Sequence, residues 1–140
     1  MTSRPKSPVK TYLIDTNVIL RYLLGDHPDL SPKATAFMSA VSQGTKRALI
    51  LEVVVVECIY VLDKYYGIPR REIAEKLSGI MKFAGIFNPD RSEILEALLT
   101  YATSTIDIVD CLLAAHSSQE RIVVSFDKDM TRLKAVSEPL

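Results

Sequence analysis

Four carboxylates, those of Asp15, Glu57, Asp110 and Asp127, occupy positions where an acid is either costly or useful. Asp15 ends the apolar run Tyr12-Leu13-Ile14, and Asp127 follows the run Ile122-Val123-Val124-Ser125. Glu57, taken as helical, has Val53, Val54, Tyr60 and Val61 on its face. Taken as a strand residue it shares a face with Val53, Val55, Ile59 and Val61, so on either reading it interrupts an apolar stripe. Asp110 repeats the pattern between Ile106, Leu113 and Ala114, with Asp107 as a second acid on the same face. A carboxylate buried in such a stripe needs a cation or hydrogen-bond donors. If all four acids reach one edge of a sheet, their mutual repulsion calls for a cation. Oxygen-only ligands favour a hard ion, Mg²⁺ or Mn²⁺, over zinc, since neither His27 nor His116 is placed with these acids. A carboxylate-bound divalent ion is suited to phosphodiester hydrolysis.

Each acid taken singly also has a plainer role. Asp15 and Asp107 suit helix caps and Asp127 a turn, while Glu57 or Asp110 would pair with a core Lys or Arg. Asp129 reads as solvated. Cys58 and Cys111 each follow one of the acids and read as small buried hydrophobes. The set points to chemistry: two strand-end acids with two acids in apolar helical stripes.

The elements that must position these acids follow from apolar spacing and turn residues. A short strand at 12–14 leads through Asp15-Thr16-Asn17 into a helix that stops at Gly25. A second helix spans 31–42. The valine-rich stretch from Ala48 is too long for one strand, so it divides into a strand near 48–51 and a helix over 53–66 stopped by Gly67. Pro69 opens a helix to about Phe83, and 85–87 is a short strand. Helices follow at 90–103, with Ile94, Leu95, Leu98 and Leu99 inward, and at 107–119. A strand at 121–125 turns into a short last helix. Short strands alternating with helices predict an α/β fold, and ligands in such folds bind beyond the carboxyl ends of the strands.

With 140 residues the chain suits one domain. Hydrophobic content of 48% and charged content of 24% are globular values and exclude a disordered tail as a whole-chain description. Lys+Arg 17 against Asp+Glu 17 excludes a histone-like basic binder. Arg4, Lys6 and Lys10 lie in the first ten residues, which contain no acid, so residues 1–10 read as a flexible basic tail and 11–140 as the folded domain. The tail is expected to assist binding of a polyanion. Apolar runs broken by Glu52, Glu57 and Asp63 predict no membrane span. The absence of a secretory pattern and the two isolated cysteines lead to an expected cytoplasmic location with reduced thiols.

Four blocks together resemble the PIN-domain ribonucleases, specifically toxins of the VapC type. They are LIDTNVILRYLLG (13–25), VVVVECIYVLDKYY (53–66), DIVDCLLAAH (107–116) and VVSFDKDM (123–130). The resemblance implies an α/β/α sandwich with a central parallel sheet, a Mg²⁺ or Mn²⁺ ion held by Asp15, Glu57, Asp110 and Asp127, and metal-dependent cleavage of single-stranded RNA. Those four acids are then both the catalytic and the metal-binding set. Asn17 and Ser125 give polar support, and Asp107 or Asp129 is a candidate additional acid. Glu52 stands where relatives often have a small hydroxyl residue or proline, and Ser125 where threonine is commoner. The resemblance also implies a homodimer and a VapB-like antitoxin that lays its C-terminal segment along the toxin and brings a basic residue to the acids. Leu20, Leu23, Leu24, Phe37 and Met38 are candidates for its apolar seat.

Other classes fit less well. A phospho-accepting receiver domain needs an acidic pair after its first strand, but Thr16 follows Asp15. An aspartyl phosphatase usually has Asp-x-Asp, where Asn17 fills the third position. A housekeeping PIN nuclease, or a non-catalytic PIN-like RNA-binding module, is the alternative within the same fold; the non-catalytic form would be expected to have lost an acid.

Overall fold

A computed structural model describes residues 9–133 and 135–140, apart from the side chains of Asp129, Thr131 and Pro139. Most of the basic tail, and the Asp129 carboxylate, therefore lie outside the described residues. The chain begins with β1 (Thr11–Leu13), α1 (Thr16–Leu24), α2 (Leu30–Ser42) and β2 (Arg47–Leu49). It continues as α3 (Glu52–Tyr60), a π-helical turn (Val61–Tyr65), α4 (Arg70–Met81), α5 (Arg91–Thr103) and α6 (Ile108–His116). It closes with β3 (Val123–Ser125), a 3₁₀ segment (Lys128–Leu133) and β4 (Ser137–Pro139).

The strands are parallel, as the alternation with helices requires. β1 pairs with β2 in the register Thr11–Arg47, Tyr12–Ala48, Leu13–Leu49, and β3 pairs with β4. The short strand expected at 85–87 is a single parallel bridge between Ile86 and Ala48. Among the described residues the strands thus form two separate parallel ladders and not one continuous sheet. β4 was not anticipated, because Ser137-Glu138-Pro139 carries no apolar alternation.

Helix α1 ends where the sequence says it must. Gly25 adopts φ 60° and donates its N–H to the Arg21 carbonyl at 3.1 Å, a left-handed terminus that other residues enter at a cost. Gly85 is required for a different reason. A Cβ there would lie 2.1 Å from the Lys46 carbonyl oxygen and 2.6 Å from that of Val41, so only glycine lets this segment approach β2.

Most of the core is one cluster. Ile19, Met38, Leu62, Ile73, Ile94 and Leu98 are fully buried in it, each worth about 1.5–3 kcal/mol of transfer free energy. Helix α3 lies between α1 and α6, while α5 packs on both α4 and α6. The inward face of α5 uses Ala97 and Tyr101, and Leu99, expected inward, points to solvent at 66% exposure. The α6 helix ends at His116, three residues earlier than expected.

Candidate metal-binding active site

Asp15 follows the buried Ile14 and takes the N-cap position of α1 with an extended backbone. Its side chain makes no cap hydrogen bond, so the plain capping role is not the one it plays. Asp107 does cap: it accepts the Val109 N–H at 3.1 Å at the start of α6. Both its oxygens also accept from the Tyr60 hydroxyl, at 3.1 and 3.2 Å.

Glu57 was expected within a buried stripe, but the structure exposes it. Helix α3 is apolar on nearly every side, and its wet side carries Val53, 69% exposed, as well as Glu57. No hydrogen bond or ion pair engages the carboxylate of Asp15 or Glu57 among the described residues. The pairing of Glu57 with a core Lys or Arg is therefore not observed.

The charges of Asp15 and Glu57 both act on one buried group, the Cys58 thiol. The Cys58 thiol is pushed up to about 12, first by burial and then by the charges of Glu57 and Asp15. Tyr60 lies one helical turn beyond Glu57, and its hydroxyl is raised by burial, by its bond to Asp107 and by the charges of Asp107 and Asp110. Helix α3 packs on α1, whose N-cap is Asp15, and on α6, which carries the half-buried Asp110. Asp127 sits exposed after β3, where its N–H donates to the Ser125 Oγ at 2.9 Å. Ser125 therefore shapes the turn that carries Asp127. Asn17 is exposed on the first turn of α1 and lines a cleft of about 460 Å³ with Asp15 and Phe37.

No three of these acids bring carboxylate oxygens within 4.8 Å of one another among the described residues. The donor chemistry still suits a divalent ion: the exposed carboxylates of Asp15 and Glu57 make no ion pair among the described residues, and all the donors are oxygen. The three groups that do converge are different ones. Glu52, Asp90 and His116 have ligand atoms within 4.8 Å of one another, with His116 Nε2 2.6 Å from a Glu52 oxygen. Burial raises the Glu52 pKa, helped by its bond to Asp90 and opposed by His116. Burial also acts upward on Asp90, but bonds from Glu52 and Asn88 hold it below its usual range. The signal in the sequence was Glu52 itself, an acid at the step from β2 into α3. The 64 residues separating it from His116 concealed its partner.

The profile of the PIN domain matches residues 12–136, from β1 to just before β4. A VapC ribonuclease of Aquifex aeolicus (strain VF5) is 28% identical over 124 residues, covering 86% of this chain and 90% of that relative. No solved structure matches the chain. The match spans all six helices and every acid named above, and on it the chain belongs to the PIN domain family.

Proposed function

We propose that this protein is a metal-dependent endoribonuclease, a phosphodiester hydrolase that cuts single-stranded RNA as the toxin of a toxin–antitoxin pair. The carrying observation is its likeness to a VapC ribonuclease over nearly the full length of both chains. The geometry supports it: Asp15 occupies a cap position without capping, and Glu57 is solvent-facing on an otherwise apolar helix. Asp15, Glu57, Asp110 and Asp127 would hold Mg²⁺ or Mn²⁺, with Asp107, Asn17 and Ser125 in support. When bound, the ion would polarise the scissile phosphate and acidify a water. Asp15 and Glu57 keep their oxygens unpaired for that purpose, and Asp107 with Tyr60 fixes the start of the helix that presents Asp110.

The α/β/α sandwich, the basic tail at 1–10 as an aid to RNA binding, the homodimer and a cytoplasmic location belong to the same reading. No helix among the described residues is long and apolar enough to cross a membrane. The VapB-like antitoxin would lie in the cleft between β1, α1 and α2, which leads to Asp15. Its apolar seat keeps only part of the expected set. Leu20 and Met38 are 5% and 0% exposed and belong to the core, whereas Leu13, 66% exposed, and the partly buried Phe37 line the cleft. An arginine on the antitoxin would pair with the acids at its end.

The test is cleavage of a single-stranded RNA oligonucleotide by purified protein with Mg²⁺, with Mn²⁺ and with EDTA. Cleavage that needs the metal and disappears in Asp15→Asn supports the proposal. Metal-independent cleavage, or an active Asp15→Asn, overturns it. Co-expression with a VapB-like antitoxin should relieve toxicity in cells; a harmless protein at high expression points instead to the housekeeping nuclease.

A further inference from the structure

The Glu52, Asp90 and His116 side chains come from three distant parts of the chain: the first residue of α3, the residue before α5 and the last residue of α6. Their ligand atoms lie within 4.8 Å of one another in a cavity of about 510 Å³. Asp90 is held from behind. Asp90 accepts from Asn88 Nδ2 at 3.1 Å, and Asn88 is itself buried and bonded to the backbone of Ile50. Glu52 and His116 stand at helix ends and contact each other. One imidazole nitrogen and two carboxylates form a mixed donor set, unlike the oxygen-only acids around α3. Such a set suits a first-row transition ion. Zinc bonds of about 2.0–2.2 Å in tetrahedral geometry place ligand atoms about 3.4 Å apart, so the 2.6 Å Glu52–His116 contact needs to open by less than about 1 Å.

We propose that Glu52, Asp90 and His116 form a second metal site, selective for zinc or a similar transition ion, that ties the start of α3 to the end of α6. Glu93 and Arg121 line the same cavity. Arg121 is exposed and makes no ion pair with the three ligands. The ion would act structurally: α3 carries Glu57 and α6 carries Asp110, so a clamp between these helices sets their spacing. The proposal does not depend on ribonuclease activity, and its test reads binding and stability only.

The experiment adds Zn²⁺ to EDTA-stripped full-length protein and follows melting temperature, calorimetric stoichiometry and the visible absorption of a Co²⁺ substitute. Expected are one zinc ion per chain at this site, a rise of several degrees in wild type and in Glu57→Gln alike, and loss of that rise in His116→Gln and Asp90→Asn. An undiminished rise in His116→Gln, or a wild type that takes up no zinc, overturns the proposal. A rise lost in Glu57→Gln would assign the ion to the acids around α3 and also overturn it. Should His116→Gln fail to fold, the imidazole nitrogen resonances of wild-type His116 decide: a zinc-induced shift of Nε2 supports the site, and unshifted resonances overturn it.

Discussion

The side-chain amide of Asn88 pairs with the backbone of Ile50 in both directions. Its Oδ1 accepts the Ile50 N–H at 3.0 Å and its Nδ2 donates to the Ile50 carbonyl at 2.7 Å. The preceding bonds, from Ala48 to Gly85 and from Phe87 to Ala48, follow the parallel ladder. The next donor in that ladder would be residue 89, which is proline and has no N–H. Asn88 stands in for the missing peptide. Asn88→Ala should leave two buried backbone groups unpaired and lower stability by about 2–4 kcal/mol. Urea unfolding measures this, and a loss below about 1 kcal/mol would show that water replaces the amide.

Two tyrosines should respond in opposite senses to loss of the hydroxyl. The Tyr101 hydroxyl is buried with no hydrogen-bond partner among the described residues, so Tyr101→Phe should stabilise by about 1 kcal/mol. The Tyr60 hydroxyl binds both oxygens of Asp107, so Tyr60→Phe should destabilise by about 0.5–1.5 kcal/mol. Comparing the two midpoints in one denaturant cancels the common loss of an oxygen.

Asp15 and Glu57 make no ion pair among the described residues, and the charges of both act on the Cys58 thiol. In EDTA, Asp15→Asn and Glu57→Gln should therefore melt at or above the wild-type temperature. Mg²⁺ or Mn²⁺ at a hundred times its Kd should stabilise wild type by about 2.7 kcal/mol and neither variant. Equal metal shifts in all three proteins would take both residues out of the ion's reach.

Cys58 and Cys111 should resist thiol reagents in the folded protein and react on unfolding. Burial and nearby acids hold their thiols up, to about 12 and about 11, although Arg70 opposes the shift at Cys111. The sign for stability follows. Below the unfolded thiol value of about 9 both states are protonated and nothing is lost. Above it the unfolded chain releases protons that the fold retains, so stability falls by about 1.4 kcal/mol per pH unit per thiol until the folded values are reached. Alkylation rates and denaturation midpoints measured from pH 8 upward check both statements.

The helices were legible because their boundaries are written in local chemistry. Gly25 ends α1 and Pro69 precedes α4, and neither depends on distant residues. The division of the valine-rich stretch into β2 and α3 was also recoverable from its length. The side chains' surroundings were not. Glu57 sits among apolar neighbours in sequence, yet α3 keeps one apolar strip in solvent and the acid lies along it. Leu99 satisfies the helical stripe of α5 but yields its place to Tyr101, whose ring also stacks on Arg70, 3.7 Å from guanidinium carbon to ring centroid. The group Glu52, Asp90 and His116 depends on how three helix ends meet, which no local pattern encodes. Asp107 was read as a cap, and it is one.

The π-helical turn at Val61–Tyr65 holds one more residue than an α-turn would, as the bond from Tyr66 N–H to the Val61 carbonyl at 3.2 Å shows. It behaves as a length buffer. Upstream of it α3 keeps Val55, Cys58 and Ile59 in the core, and downstream the chain resumes with Gly67 as its stop. Removing one exposed residue within it, Lys64, would let the same span close as regular α-helix, with the phase of α3 untouched and Gly67 still available as the terminus. A deletion inside α3 has no such slack, because it would rotate every core residue beyond it by about 100°. Tolerance to loss of a residue should therefore change abruptly at Tyr60.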